Sequence, residues 1–382
     1  MKWSLNLGRI AGIKIFIHWT FLILLLWIVF SQIQQGKSWE QTTAAALFII
    51  LIFGCVILHE LGHALMARRF KISTRDITLL PIGGLARLEK IPEDPKQELW
   101  VALAGPAVNI LIAAIMGIVL VLFNPQILNL DTLDWESLNF QSMIVNLLMV
   151  NIILAIFNLI PAFPMDGGRV LRALLAFQFS RLQATRMAAA LGQIIAIGFA
   201  FIGLLYNPIL LLIAIFVYLG AQFEMGQVEN KSILHNFRVS NVMMRKYHTL
   251  KAGDSLLNAV KLLLDSQEKD FVVVEGDAVV GLLTSAQIIE GLKHQRDHHD
   301  VGDIMTSKFR GLDPEEALDQ VFEEFQLKKI SVLPVIKNDK LLGILNMENV
   351  LEFIMVQNAL TTDDQAPGIP SNLTEIKEVK TS

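Results

Sequence analysis

The first 225 or so residues contain up to six stretches apolar along their whole length, and the remainder contains none. They run at about 16–30, 44–66, 100–123, 143–159, 187–206 and 208–223. A hydrocarbon core takes about 20 predominantly apolar residues per helix. The stretches therefore predict an α-helical multi-pass membrane domain of about six transmembrane helices. The first and last are short enough to be tilted or re-entrant. The 382-residue chain is 53% apolar and 18% charged, with a mean hydropathy of +0.50, on the membrane side of the globular range. The charge is concentrated in short loops before residue 100 and in the last 160 or so residues, so two physical classes share one chain.

With a formal net charge of −4 and no basic tract or basic helix face, nothing suggests a nucleic-acid partner and none is assigned. The single cysteine, Cys55, lies in an apolar run, where it reads as a small buried hydrophobe and rules out a disulfide framework. Lys2, Arg9 and Lys14 precede the first apolar stretch as they would in a secretory signal, but no small-x-small cleavage site follows. The expectation is an uncleaved first membrane helix. Loops 67–99 and 160–186 are rich in Lys and Arg, whereas 124–142 has neither and carries Asp131, Asp134 and Glu136. The basic loops, and with them the N-terminus and the C-terminal module, are expected on the cytoplasmic side of a cell membrane.

The second apolar stretch contains His59-Glu60-Leu61-Gly62-His63. On a helix, residues i and i+4 share a face, so two imidazoles there can hold one zinc ion with Glu60 beside the metal. Ionisable groups inside a membrane helix are expensive and mark function. A catalytic zinc takes three protein ligands and keeps a position open. The fourth stretch ends in Asn158-Leu159-Ile160-Pro161-Ala162-Phe163-Pro164-Met165-Asp166-Gly167-Gly168. Given the orientation above, Asp166 reaches the same depth and side as His63. The prolines and glycines break the helix and turn the aspartate toward the bundle.

These paired motifs, with Gly105-Pro106-x-x-Asn109 between them, resemble the site-two protease family of intramembrane zinc metalloproteases, peptidase family M50. The resemblance covers roughly residues 1–225. It implies one Zn2+ held by His59, His63 and Asp166, with Glu60 as catalytic base. Met165 stands where the family commonly has Leu, a volume-conserving change. Asn158 is read either as an amide donor to substrate or oxyanion or as an interhelical hydrogen bond. The substrate implied is a transmembrane protein, such as an anti-sigma factor or a membrane-tethered regulator.

A helical substrate hides its carbonyls in internal hydrogen bonds and must unwind at the site. The segment 76–88, turning at Gly83-Gly84, is expected to form a β-hairpin or re-entrant loop whose edge pairs with the unwound substrate. Asn146, Asn151 and Gln193 read as interhelical joints. His18, Trp19 and Trp27 read as interfacial anchors.

Beyond residue 225 a repeat with a period of 62 residues sets in. Val242-Met243 matches Ile304-Met305, Leu250 matches Leu312, Phe271–Val274 matches Leu333–Ile336, and Gly281-Leu282-Leu283 matches Gly343-Ile344-Leu345. Short apolar strands alternating with helices predict an α/β sandwich of two pseudo-symmetric halves. The repeat resembles a tandem pair of CBS (cystathionine-β-synthase) domains over 239–358, following a linker at 226–238. The resemblance implies an adenine nucleotide as ligand, with Thr284 as a ribose contact, and a homodimer through the pair. Gln287 and Asn349 replace the usual ribose aspartates, which favours a dimerisation or tethering module. His294, His298 and His299 read as a solvated segment between the repeats, and 359–382 as a disordered tail.

Two other functions fit the same residues. One is a CBS-regulated transporter binding an ion at His59, Glu60 and Asp166. The other is an inactive scaffold, against which the intact Glu60 argues.

Overall fold

The computed structural model describes residues 4–81, 83–88, 92–123, 140–266, 268–293, 300–328 and 330–362. The chain divides into two compact units between Val228 and Glu229.

The first unit opens with strands, not with a helix. β1 (Ser4–Ile10) and β2 (Ile13–His18) form a hairpin, and α1 (Trp19–Gln34) follows. Residues 16–18, expected at the head of the first membrane helix, therefore belong to a strand. Ile13 and Ile15 alternate with exposed Lys14 and are buried at 6% and 2% exposure, the period-two pattern of a half-buried strand. A neighbouring apolar run masks that period. His18, read as an interfacial anchor, caps α1, its Nδ1 accepting from the Thr20 amide.

α2 (Trp39–Arg69) begins five residues earlier than its apolar core, because Ser38 and Gln41 form a capping box. β3 (Thr74–Leu80) and β4 (Gly83–Leu88) form a hairpin as expected, but Gly83 and Gly84, expected at the turn, lie in β4 paired with Leu80 and Leu79, so the chain reverses before them. The hairpin completes a four-stranded sheet in the order β1-β2-β3-β4, in which β2 and β3 run parallel. α3 (Pro95–Phe123) starts where Asp94 Oδ1 accepts from the Lys96 and Gln97 amides. α4 (Phe140–Asn158) leads through a short non-helical segment to α5 (Asp166–Leu175), a ten-residue helix. α6 (Arg181–Tyr206) has a second Ser/Gln capping box, Ser180 with Gln183. α7 (Pro208–Leu234) runs on through 226–234, which the sequence suggested as linker.

By length and composition α2, α3, α6 and α7 can each cross a membrane, and α1 and α4 are apolar but shorter. Their outward faces expose Leu26, Ile153, Phe201 and Leu204. Acyl chains can cover such a surface without any hydrophobic penalty.

The second unit carries the repeat. Its first half has α8 (Val239–Val242), β5 (Thr249–Lys251), α9 (Leu256–Asp265), β6 (Asp270–Glu275), β7 (Ala278–Thr284) and α10 (Ser285–Lys293). Its second half has α11 (Val301–Ile304), α12 (Leu318–Lys328), β8 (Val332–Lys337), β9 (Lys340–Asn346) and α13 (Met347–Thr362). The ladder slips at Val273/Val274 in one half and at Val335/Ile336 in the other, one period apart. The segments leading each half are exchanged. Met244 exchanges two backbone hydrogen bonds with Ile344 of the second half, and Thr306 does the same with Leu282 of the first. Val272, Leu282, Val332 and Ile344 then form a shared core between the halves. Residues 359–362, expected in a disordered tail, complete α13. His294, His298, His299 and 363–382 lie outside the described residues.

Each half depends on a strand partner from the other, so the pair should unfold as one body. Phe271 and Phe325 are buried at 0% and 1% in the two separate cores. Phe271→Ala should destabilise by about 3–5 kcal/mol and lower a single melting transition for both halves in calorimetry of the full chain. A transition that splits, with the second half melting as before, would refute the interlock.

Candidate metal centre

Two turns of α2 and the first residue of α5 supply the site. His59 and His63 stand one above the other on α2, with ring centroids 4.8 Å apart at 82°. Asp166 opens α5 and meets them. His63 Nε2 lies 3.1 Å from His59 Nε2 and 3.1 Å from Asp166 Oδ2, and His59 Nε2 lies 3.2 Å from the same oxygen. All three residues are buried. Bonds of about 2.0–2.1 Å in a tetrahedral zinc site put neighbouring donors about 3.3–3.4 Å apart. The triangle is therefore close to the right size for that ion, and two neutral imidazoles with one carboxylate are the right donor chemistry.

The tautomers are fixed by a chain of obligatory acceptors. The Leu147 carbonyl can only accept, so the Asn151 amide group that meets it at 2.8 Å is Nδ2. That turns Asn151 Oδ1 toward Asn109, whose Nδ2 donates to it at 3.2 Å. Asn109 Oδ1 then faces His59, and His59 Nδ1–H donates to it at 2.7 Å. His63 Nδ1–H donates to the Val101 carbonyl, also at 2.7 Å. Both rings thus carry their proton on Nδ1, and both Nε2 lone pairs point at Asp166. Hydrogen bonds of this kind to the far nitrogen fix ring orientation and make the other nitrogen a stronger donor to a metal. Asn109 and Asn151 are both fully buried. The sequence placed Asn151 as an interhelical joint, which it is. That the joint ends on a histidine is new.

Two glycines let the chain come this close. A Cβ on Gly105 would sit 2.2 Å from His63 Nε2 and 2.7 Å from His59 Nε2, inside the triangle's own space. A Cβ on Gly167 would sit 2.2 Å from the Ile160 carbonyl, where the chain folds back into α5.

Glu60 is half-buried, and its Oε2 accepts from the Ala86 N–H of β4 at 3.2 Å. Asn158 is half-buried at the end of α4, with no hydrogen-bond partner for its amide among the described residues. Thr284 lies apart, in the second unit. Its N–H and hydroxyl both donate to Gln287 Oε1, at 2.9 and 2.8 Å, and Gln287 Nε2 donates to the Ile304 carbonyl and to Thr306. Gln287 thus occupies the hydroxyl proposed for ribose. A cavity of about 140 Å³ in the same unit is lined by Glu268, Asp270 and Glu348 with Lys269 and Asn346, an acidic setting for a phosphate.

Comparison with known proteins shows which families the chain resembles. The model of peptidase family M50 matches residues 47–138 and 126–205, and that of the CBS domain matches 239–294 and 301–356. A zinc metalloprotease of Methanocaldococcus jannaschii is 34% identical over 284 residues, covering 74% of this chain and 78% of that one. Rip3 of Mycobacterium tuberculosis is 26% identical, covering 80% of each. The solved site-2 protease from Methanocaldococcus jannaschii is 38% identical over 58% of this chain and 95% of its own, with a TM-score of 0.43.

If the amide chain holds His59 in its metal-binding tautomer, Asn109→Ala should weaken zinc binding about 10–100-fold. Asn151→Ala should weaken it less. Competition with a chromophoric chelator measures both, and unchanged affinity in the Asn109 variant would exclude this role.

Proposed function

The chain belongs to peptidase family M50, the zinc metalloproteases of the site-2 type, and carries a tandem CBS pair; from that premise we propose that it hydrolyses peptide bonds in or near transmembrane segments of membrane-protein substrates. His59, His63 and Asp166 hold the zinc ion, and Glu60 is the catalytic base. The observation that carries this reading is the convergence of three buried donors, with both imidazole lone pairs directed at one point. The bound ion would supply Lewis-acid polarisation of the scissile carbonyl and of water. Glu60 takes a proton from the attacking water and returns it to the leaving amine. Asn158, at the end of the helix that leads to Asp166, offers its unengaged amide to the substrate or its oxyanion. Family membership removes the ground for the transporter reading.

The substrate reaches the site as an extended segment. Among the described residues β4 is the outer strand of its sheet, with β3 on one side only. An unwound substrate can add there as a fifth strand. The Ala86 N–H donates to Glu60, so β4 runs past the catalytic base. The basic loops place the N-terminus and the CBS pair in the cytoplasm, where a transmembrane regulator such as an anti-sigma factor is a fitting substrate. The CBS pair serves as a regulatory module and as a homodimer contact. With Gln287 on Thr284 and an acidic cavity lining, tethering is the better-supported role, and an adenine nucleotide is the second one.

Purified protein in lipid with a membrane-peptide substrate tests the core of this. Glu60→Gln should retain zinc and lose about 10²–10⁴-fold in cleavage; wild-type cleavage by that variant overturns the reading. Proline placed in turn at positions 83–88 should reduce cleavage where it removes an edge N–H. Uniform activity across the scan would exclude strand addition.

A further inference from the structure

The first unit holds a second charged cluster, buried at its centre, that the hydrolytic chemistry does not use. Arg172, near the end of α5, is 1% exposed, and Glu98, in the first turn of α3, is 3% exposed. Arg172 Nε donates to Glu98 Oε1 at 2.9 Å, and Nη1 donates to Glu224 Oε2 of α7 at 3.1 Å. Arg181 Nη1 stands 3.5 Å from the other Glu98 oxygen, and Arg169 Nη2 stands 3.6 Å from Glu224 Oε1. The Arg172 guanidinium also lies over the Phe163 ring, 4.9 Å from its centroid. One short helix is therefore clamped between the starts of α3 and α6 and the side of α7.

That helix is the one that carries Asp166. Its clamp on α3 falls on a meaningful stripe. Glu98, Val101, Gly105 and Asn109 are spaced by three, four and four residues, so they line one helical face. Val101 and Asn109 hold the two histidines and Gly105 admits their rings. Through Glu98, the same face grips α5. α3 thus indexes the histidine pair and the aspartate against one ruler.

We propose that the triad of buried Glu98 and Arg172 with half-buried Glu224 is a positioning device that sets zinc affinity by registering Asp166 against His59 and His63. Arg172 is two turns from Asp166 along a ten-residue helix, and it touches no ligand. It acts through the rigid helix. This inference rests on the reading of Asp166 as the third ligand. A guanidinium suits the task because its planar fork fixes direction as well as distance.

Zinc affinity, measured by chelator competition on the full chain in detergent, tests it in two backgrounds. In the wild-type background Arg172→Met should weaken zinc binding about 10–100-fold, the range for losing a group that orients a metal ligand. In the Asp166→Ala background the same change should alter affinity less than twofold, because the ligand it positions is gone. Equal loss in both backgrounds means a general structural effect and overturns the inference alone. Unchanged affinity in Arg172→Met overturns it too. If Asp166→Ala by itself leaves zinc affinity unchanged, the ligand assignment falls and this inference with it. Should Arg172→Met fail to give a monodisperse protein, Glu224→Gln takes its place. It should show a smaller loss with the same dependence on Asp166, and a loss independent of Asp166 overturns the proposal.

Discussion

The metal-binding end of the bundle depends on one interaction type repeated along α3: a fixed polar partner delivered to a group that water cannot reach. In solution a pair of histidines would find acceptors for their Nδ1 protons in the solvent. Inside an apolar bundle each unmatched N–H costs several kcal/mol, so the partner must be built in. α3 supplies it in two forms and makes the room for them. A backbone carbonyl at Val101 meets His63, a side-chain amide at Asn109 meets His59, and the missing Cβ at Gly105 leaves room for both rings. The Asn109 amide is itself matched by Asn151, which ends on a carbonyl of its own helix. Nothing in that sequence of bonds is free to flip, because each amide group is determined by the next, back to a carbonyl that can only accept.

This explains which parts of the site the sequence disclosed. His59, Glu60, His63 and Asp166 are visible because ligand chemistry is bound to residue type, and because charges are rare in apolar runs. Val101 is invisible, since it acts through its backbone. Gly105 acts through what it lacks. The fold follows the same logic. The 62-residue period was legible because both copies repeat their apolar strands, and even the ladder slip recurs at matching places. The exchange of leading segments was not legible, because Met244 and Thr306 pair through backbone groups. The strand at Ile13–His18 was lost beside the apolar run that follows it. Short apolar stretches do not distinguish a strand from a buried helix. The capping boxes at Ser38 and Ser180 were readable signals for the true starts of α2 and α6, and apolar windows alone overlooked them.

The buried ion cluster admits a sharper argument than stability. Replacing a buried salt bridge by well-packed apolar side chains is often neutral or stabilising, since desolvation offsets much of the Coulomb gain. Cohesion alone therefore gives little reason to bury Glu98 and Arg172, with Glu224 half-buried, where α3, α5, α6 and α7 meet. Apolar contacts, however, are non-directional, and a helix held only by them can slide by a fraction of an ångström at little cost. A metal site does not tolerate that. Its donors must be held within about 0.5 Å of productive geometry, and α5 carries Asp166, one of the three proposed donors, as its first residue. A guanidinium fixed by two carboxylates from two different helices removes the sliding freedom. The same α3 face then places both the histidines and the aspartate, so an error in one is shared by the other and their separation is kept.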